Sequence, residues 1–164
     1  MSEERPQANF VYQKKTYTFD MRSAIPSSEY VWLNRNDLIT NPIIKYDEED
    51  EHIKFDSNAI QSFIAYLNDP TNIPLINTDT VFTLNALSLK FVTKSLQSHI
   101  DNYINMNHIE LLPIILNKKT LTSDDENKIS EFLIEYIESE QLLSLSLPSI
   151  GRILSLYRIN QKNK

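Results

Sequence analysis

Cysteine is absent from the 164 residues, and glycine occurs once, at Gly151. The first absence removes disulfides, thiolate nucleophiles, CxxC redox pairs and every zinc site that uses sulfur. The second is more restrictive. A loop that wraps a phosphate needs several glycines so that backbone N–H groups can close on the anion. A Walker loop, a GxGxxG dinucleotide turn and a GxSxG nucleophile elbow each need at least two glycines, so none of them is present. Long apolar runs are also missing: none approaches the ~18 residues that cross a bilayer. The start, MSEERPQ, is polar and charged rather than a signal peptide. Together these features place the expected home of the chain in the cytoplasm or nucleus.

Excess positive charge is lacking too. The net charge of −6 speaks against nucleic acid or anionic membrane as a partner, because both need Lys and Arg in excess on one face. Arg152, Arg158, Lys162 and Lys164 near the C-terminus read as a solvated helix end. What remains is ordinary globular composition, 41% hydrophobic and 23% charged, long enough for one domain with a core or a small domain plus a helical appendage.

The chain opens with strand character. Asn9–Tyr12 and Lys15–Phe19 are rich in aromatic and β-branched residues, Tyr17 and Phe19 alternate with Thr16 and Thr18, and Gln13 and Lys14 form the expected turn. Residues 20–33 predict a short helix interrupted near Pro26. Two further strand-like runs, Ile43–Tyr46 and His52–Phe55, flank the acidic stretch Asp47–Glu51. Five contiguous carboxylates belong in water, as a hairpin tip or exposed loop. A calcium loop would interleave its acids and use a glycine.

Helical periodicity begins at Asp56. Ile60, Phe63, Ile64 and Leu67 form one apolar stripe, with Asp56 or Ser57 placed to cap it and Asn68-Asp69-Pro70 placed to end it. Ile73–Ile76 contains Pro74 and reads as an edge strand or extended linker. A helical pair follows, marked by Val81, Leu84 and Leu87, then by Val92, Leu96, Ile100, Tyr103 and Ile104. Beyond Met106 strand character ends. Ile109–Leu116 is apolar, Ser123 and Glu126 stand at capping-box spacing before Ile129, Phe132, Leu133, Tyr136 and Ile137, and Pro148 opens a helix with the stripe Ile150, Ile153, Leu154 and Tyr157.

This order of hairpin, helix, strands, helix, edge strand and helical pair resembles the BTB/POZ fold. Ile53-Lys-Phe-Asp56 and then Phe63-Ile-Ala-Tyr-Leu67 are similar to that family's last core strand and the aromatic-rich helix after it. Val81–Phe91 followed by Leu96 and Tyr103-Ile104 is similar to its closing helical pair, and Leu143, Leu145–Pro148 and Arg152–Leu154 resemble the start of a BACK-type extension.

The resemblance implies an α+β fold, a small β-sheet flanked by helices and followed by an all-α C-terminal extension. It places a BTB/POZ-like domain at residues 9–105 and a BACK-like extension at 106–157, leaving 1–8 and 158–164 as flexible termini. A generic α/β domain with a helical tail is the alternative. Only eight mostly polar residues precede the hairpin, so the nearer comparison is the short form found in cullin-adaptor subunits related to Skp and elongin.

Such domains act by contact alone, forming oligomers or recruiting the cullin scaffolds of ubiquitin ligases. The resemblance therefore implies an adaptor with protein partners, homo-oligomer formation among them, and no catalytic, cofactor or metal residues. Cullin binders of this family carry a hydrophobic residue, any residue and a glutamate at the helix after the last core strand. Ile60, Gln61 and Ser62 hold those positions, so the acid is replaced by serine. On the segment 21–33, Ile25, Tyr30 and Trp32 are the candidate contact residues; Trp32, the single tryptophan, is an interface anchor or a core residue.

An enzyme with a noncanonical carboxylate/histidine site is the alternative from another class. HExxH is absent, and His99 and His108 stand nine residues apart, about half a turn out of phase on a helix. His99 lies near its helix's apolar stripe and reads as a packed or boundary residue. His52 beside the acidic run reads as solvated.

Overall fold

Gln13 and Lys14 reverse the chain with φ of 47° and 65°, the left-handed pair required by a two-residue hairpin turn whose twist matches its strands. They join β1 (Gln7–Tyr12) to β2 (Lys15–Asp20) in antiparallel register, with Ala8 opposite Phe19 and Phe10 opposite Tyr17. Ala8, Phe10 and Phe19 are buried, so one face of the hairpin is core. A third strand, β3 (Ile43–Lys45), lies on the far side of β1 and runs parallel to it, Phe10 facing Ile44. The sheet order is β2-β1-β3. A parallel neighbour demands a crossover, supplied by three short helices, α1 (Met21–Ala24), α2 (Glu29–Leu33) and α3 (Arg35–Thr40).

Longer helices follow: α4 (Ser57–Asn68), α5 (Val81–Phe91), α6 (Lys94–Met106), α7 (His108–Leu116) and α8 (Leu147–Lys162). The chain is thus α+β. The computed structural model describes residues 5–46, 54–116 and 147–162, with Asn127, Ile129, Glu131, Glu135 and Glu138, each of these five helical. Among the described residues no helix is long and apolar enough to cross a membrane.

The local signals explain the helices. Asp56 caps α4 by accepting the Ala59 N–H at 2.8 Å, and the expected stripe Ile60, Phe63, Ile64 and Leu67 is buried. Asp20 caps α1 by accepting from Arg22 N–H at 2.8 Å, and its own N–H donates to Asn68 Oδ1 at 2.8 Å, which ties the end of α4 to the end of β2.

Phe91, the last residue of α5, is the hub of the core. Its ring lies 5.8 Å from Phe10, 6.0 Å from Phe19, 5.8 Å from Tyr30 and 5.2 Å from Phe63. Tilted and edge-on pairs of this kind add about 0.5–1.5 kcal/mol each beyond the area they bury. Two strands, a crossover helix and α4 thus converge on one side chain.

Several expectations need correction. Residues 35–40, for which no element is expected, form α3; they have no clear apolar period to announce it. Lys54 and Phe55, the described end of the run 52–55, are not strand: Phe55 stacks on Tyr12 at 4.8 Å, and its N–H donates to the Tyr12 hydroxyl rather than to a ladder. Of the two readings of Ile73–Ile76, the edge strand falls and the linker stands. Val92 does not begin α6; it closes α5 in left-handed backbone, φ 52°. The expected flexible termini carry structure at residues 7–8, within β1, and 158–162, within α8. The acidic run 47–51, the Ser123/Glu126 capping box, and Phe132, Leu133, Tyr136 and Ile137 lie outside the described residues.

The chain divides into two compact units, Met1–Tyr103 and Ile104–Lys164. The first holds the sheet and α1–α5. In the second, α7 and α8 pack together, with Leu111, Leu112, Ile129 and Ile153 fully buried. Of the stripe expected on α8, Ile153 is buried but Leu154 and Tyr157 are exposed.

Candidate docking surface

Pro26 breaks the segment after β2, and the chain restarts as α2 because Ser28 accepts the Val31 N–H at 3.3 Å. The same hydroxyl donates to the carbonyl of Phe91 at 2.6 Å, and the Glu29 N–H donates to the carbonyl of Val92 at 3.2 Å. These two bonds fasten the start of α2 to the end of α5. Between them and the start of α6 opens a groove of about 420 Å³ lined by Ile25, Pro26, Ser27, Glu29, Trp32, Val92, Lys94 and Ser95.

Trp32 is 48% exposed on the rim of this groove, so of its two readings the core one is corrected. It is nonetheless held. The Arg35 guanidinium lies 3.9 Å from the indole centroid and donates to the Trp32 carbonyl at 2.7 Å. A cation over an exposed indole contributes about 0.5–1 kcal/mol. Lys94 pairs with Glu29 at 2.8 Å, both well exposed, which contributes ~0.2–1 kcal/mol but fixes the polar edge.

Val92 lines the same groove. A β-branched residue at φ 52° occupies backbone that glycine adopts without cost, and here the residue is 39% exposed.

The expected contact residues separate. Ile25 and Trp32 line this groove. Tyr30 does not: its ring packs against Phe91. Ile60 is 1% exposed and belongs to the core, so as a partner contact it is corrected. Gln61 beside it is exposed.

Ser62, half-buried with its hydroxyl donating to the Ala59 carbonyl at 3.0 Å, lines a second groove of about 600 Å³ together with Asp56, Asn58, Leu75, Asn77, Asp79 and Thr80. Among its described lining residues this groove carries two carboxylates and no basic side chain.

Sequence reasoning missed Glu29, Val92, Lys94 and Ser95 as groove residues. Nothing local marks them, since the groove exists only because residues 28 and 91 meet.

The two described histidines stand on different helices, α6 and α7. His99 is exposed on α6, not packed, because Leu96 and Ile100 take the inner face. In the second unit, His108 Nε2 is 2.6 Å from Glu135 Oε2, and its Nδ1 is 2.6 Å from the Asn105 carbonyl. His52 lies outside the described residues. Among the described residues no group of three or more His, Asp and Glu side chains is placed to hold a metal ion. No protein-family model matches the chain, and no curated protein matches it in sequence.

Proposed function

We propose that this protein is an interaction module of BTB/POZ type, an adaptor or scaffold that binds other polypeptides through the surface around Trp32. The observation that carries the reading is that a half-exposed, Arg-braced tryptophan and a Val92 in left-handed backbone line the same groove. A large aromatic side chain held in place loses little freedom on binding and offers a wide apolar area, which is why tryptophan dominates contact energies. Backbone strain persists where the surrounding structure imposes it, and it concentrates at ligand clamps and switch regions. The succession of hairpin, crossover helices, a third strand, α4 and the α5–α6 pair supports the BTB/POZ reading, and the helices of the second unit support a BACK-like extension.

A cullin scaffold is the family's partner to test first, with the reservation that Ser62 replaces the expected acid. The test is affinity purification of the tagged chain from its native cell, wild type against Trp32→Ala. Trp32 is at the surface, so the variant keeps its fold, which circular dichroism verifies. The expected result is a reproducible set of co-purifying proteins that Trp32→Ala loses; a cullin in that set identifies the adaptor role. Recovery of the same proteins with both forms, or of none with the wild type, removes this surface as the site of function.

A further inference from the structure

The second groove and α8 carry opposite charge, and each leaves apolar surface uncovered. The groove presents Asp56 and Asp79 with no cation among its described lining residues, and Leu75 on it is 74% exposed. Helix α8 has Ile150, Leu154 and Tyr157 at i, i+4 and i+7, with Leu154 47% and Tyr157 37% exposed. Exposed Arg158 and Lys162 flank that stripe. From Leu147 to Lys164 there is no Asp or Glu, although the whole chain is at −6. A basic, half-covered amphipathic helix takes an acidic partner surface in a helix-in-groove mode, and this protein carries such a surface on its own first unit.

We propose that the groove of one copy receives α8 of a second copy, with Leu154 and Tyr157 against Leu75 and with Arg158 and Lys162 toward Asp79. An anionic membrane is the less suited occupant, because the acidic remainder of the chain is repelled by it. The contact is heterologous: the groove of one protomer meets the helix of the next. Each pair therefore leaves one free groove and one free helix, and association either closes into a ring or continues as a chain. This goes beyond the Trp32 surface and does not depend on it.

The test is sedimentation of the full chain over a range of concentrations at low and high salt. Asp79→Lys is preferred to any change at Asp56, because Asp56 caps α4. The wild type is expected to self-associate at low salt and to dissociate as salt rises, since exposed charges are screened. Asp79→Lys alone, and Arg158→Glu/Lys162→Glu together, each weaken association by about tenfold. Combining all three changes in one chain restores it, because the charges are exchanged rather than removed. Trp32→Ala leaves the association unchanged, which separates this interface from the proposed docking surface. A wild type that stays monomeric to ~1 mM, or a combined variant whose losses add instead of cancelling, overturns the proposal.

Discussion

The hydroxyl of Ser28 donates to the carbonyl of Phe91 across 63 positions of sequence, at 2.6 Å and with no solvent exposure. It also accepts the Val31 N–H, so a single oxygen both starts α2 and anchors it to the hub of the core. Ser28→Ala leaves a buried carbonyl without its donor and a helix without its cap. The expected cost is about 2–4 kcal/mol, measured as a lowered urea midpoint with an unchanged slope. A loss below ~0.5 kcal/mol would mean that water or a neighbouring group replaces the hydroxyl.

Arg35 makes a separate prediction, because the chain has one tryptophan and its fluorescence reports only on position 32. Removing the guanidinium in Arg35→Ala uncovers one face of the indole. Acrylamide quenching of Trp32 should increase in the folded state, while stability falls by no more than ~1 kcal/mol. Arg35→Lys should give an intermediate result, since an ammonium lacks the flat face that stacks on indole. Equal quenching in all three forms would show that the stacked pair does not persist in solution.

Much of this architecture was legible from periodicity and caps, and the parts that were not share one cause. The hairpin, the stripe Ile60–Leu67 with its Asp56 cap, and the α5–α6 pair depend on residues close to one another in sequence. The parallel pairing of β1 with β3 depends on residues far apart, as Phe10 and Ile44 show, and no local pattern encodes a crossover partner. Trp32 and Val92 are apolar, so a hydrophobic pattern places them inward. Both are partly exposed because α2 is only five residues long and because α5 ends by turning left-handed at Val92. Ile60 shows the converse error: a motif borrowed by resemblance put it at an interface, while its own place in the stripe already marked it as core.

Tyr66 links stability to alkaline pH. It is 1% exposed, and burial raises its phenol above the ordinary 10.0, although hydrogen bonds from the Ser95 side chain and the Leu96 backbone act in the opposite direction. The folded state therefore holds this proton more tightly than the unfolded chain does. Its contribution is complete below pH 10.0 and is lost as pH rises from there through the higher folded-state value. Urea midpoints between about pH 8 and 11 should fall more steeply for wild type than for Tyr66→Phe, which cannot ionise. The variant should also be about 1–3 kcal/mol less stable at neutral pH, because the groups that donated to the phenol lose their acceptor. Parallel curves would place the phenol in a solvated setting.

The hairpin turn offers a stabilising change. Gln13 and Lys14 both stand at positive φ, where a side-chain Cβ crowds the following carbonyl at a cost of roughly 1–2 kcal/mol per residue. The two-residue turn requires that backbone at both positions, so the strain is imposed by the fold and not by contacts of these side chains, which are exposed. The double substitution Gln13→Asn/Lys14→Gly relieves both positions, since asparagine tolerates the left-handed region and glycine enters it freely. Glycine's added freedom in the unfolded chain offsets part of the gain, leaving an expected ~1 kcal/mol. Because neither turn residue lines the groove beside Trp32, the gain should raise the urea midpoint without altering partner capture. A lowered midpoint would mean that Gln13 or Lys14 contributes a contact worth more than the strain it carries.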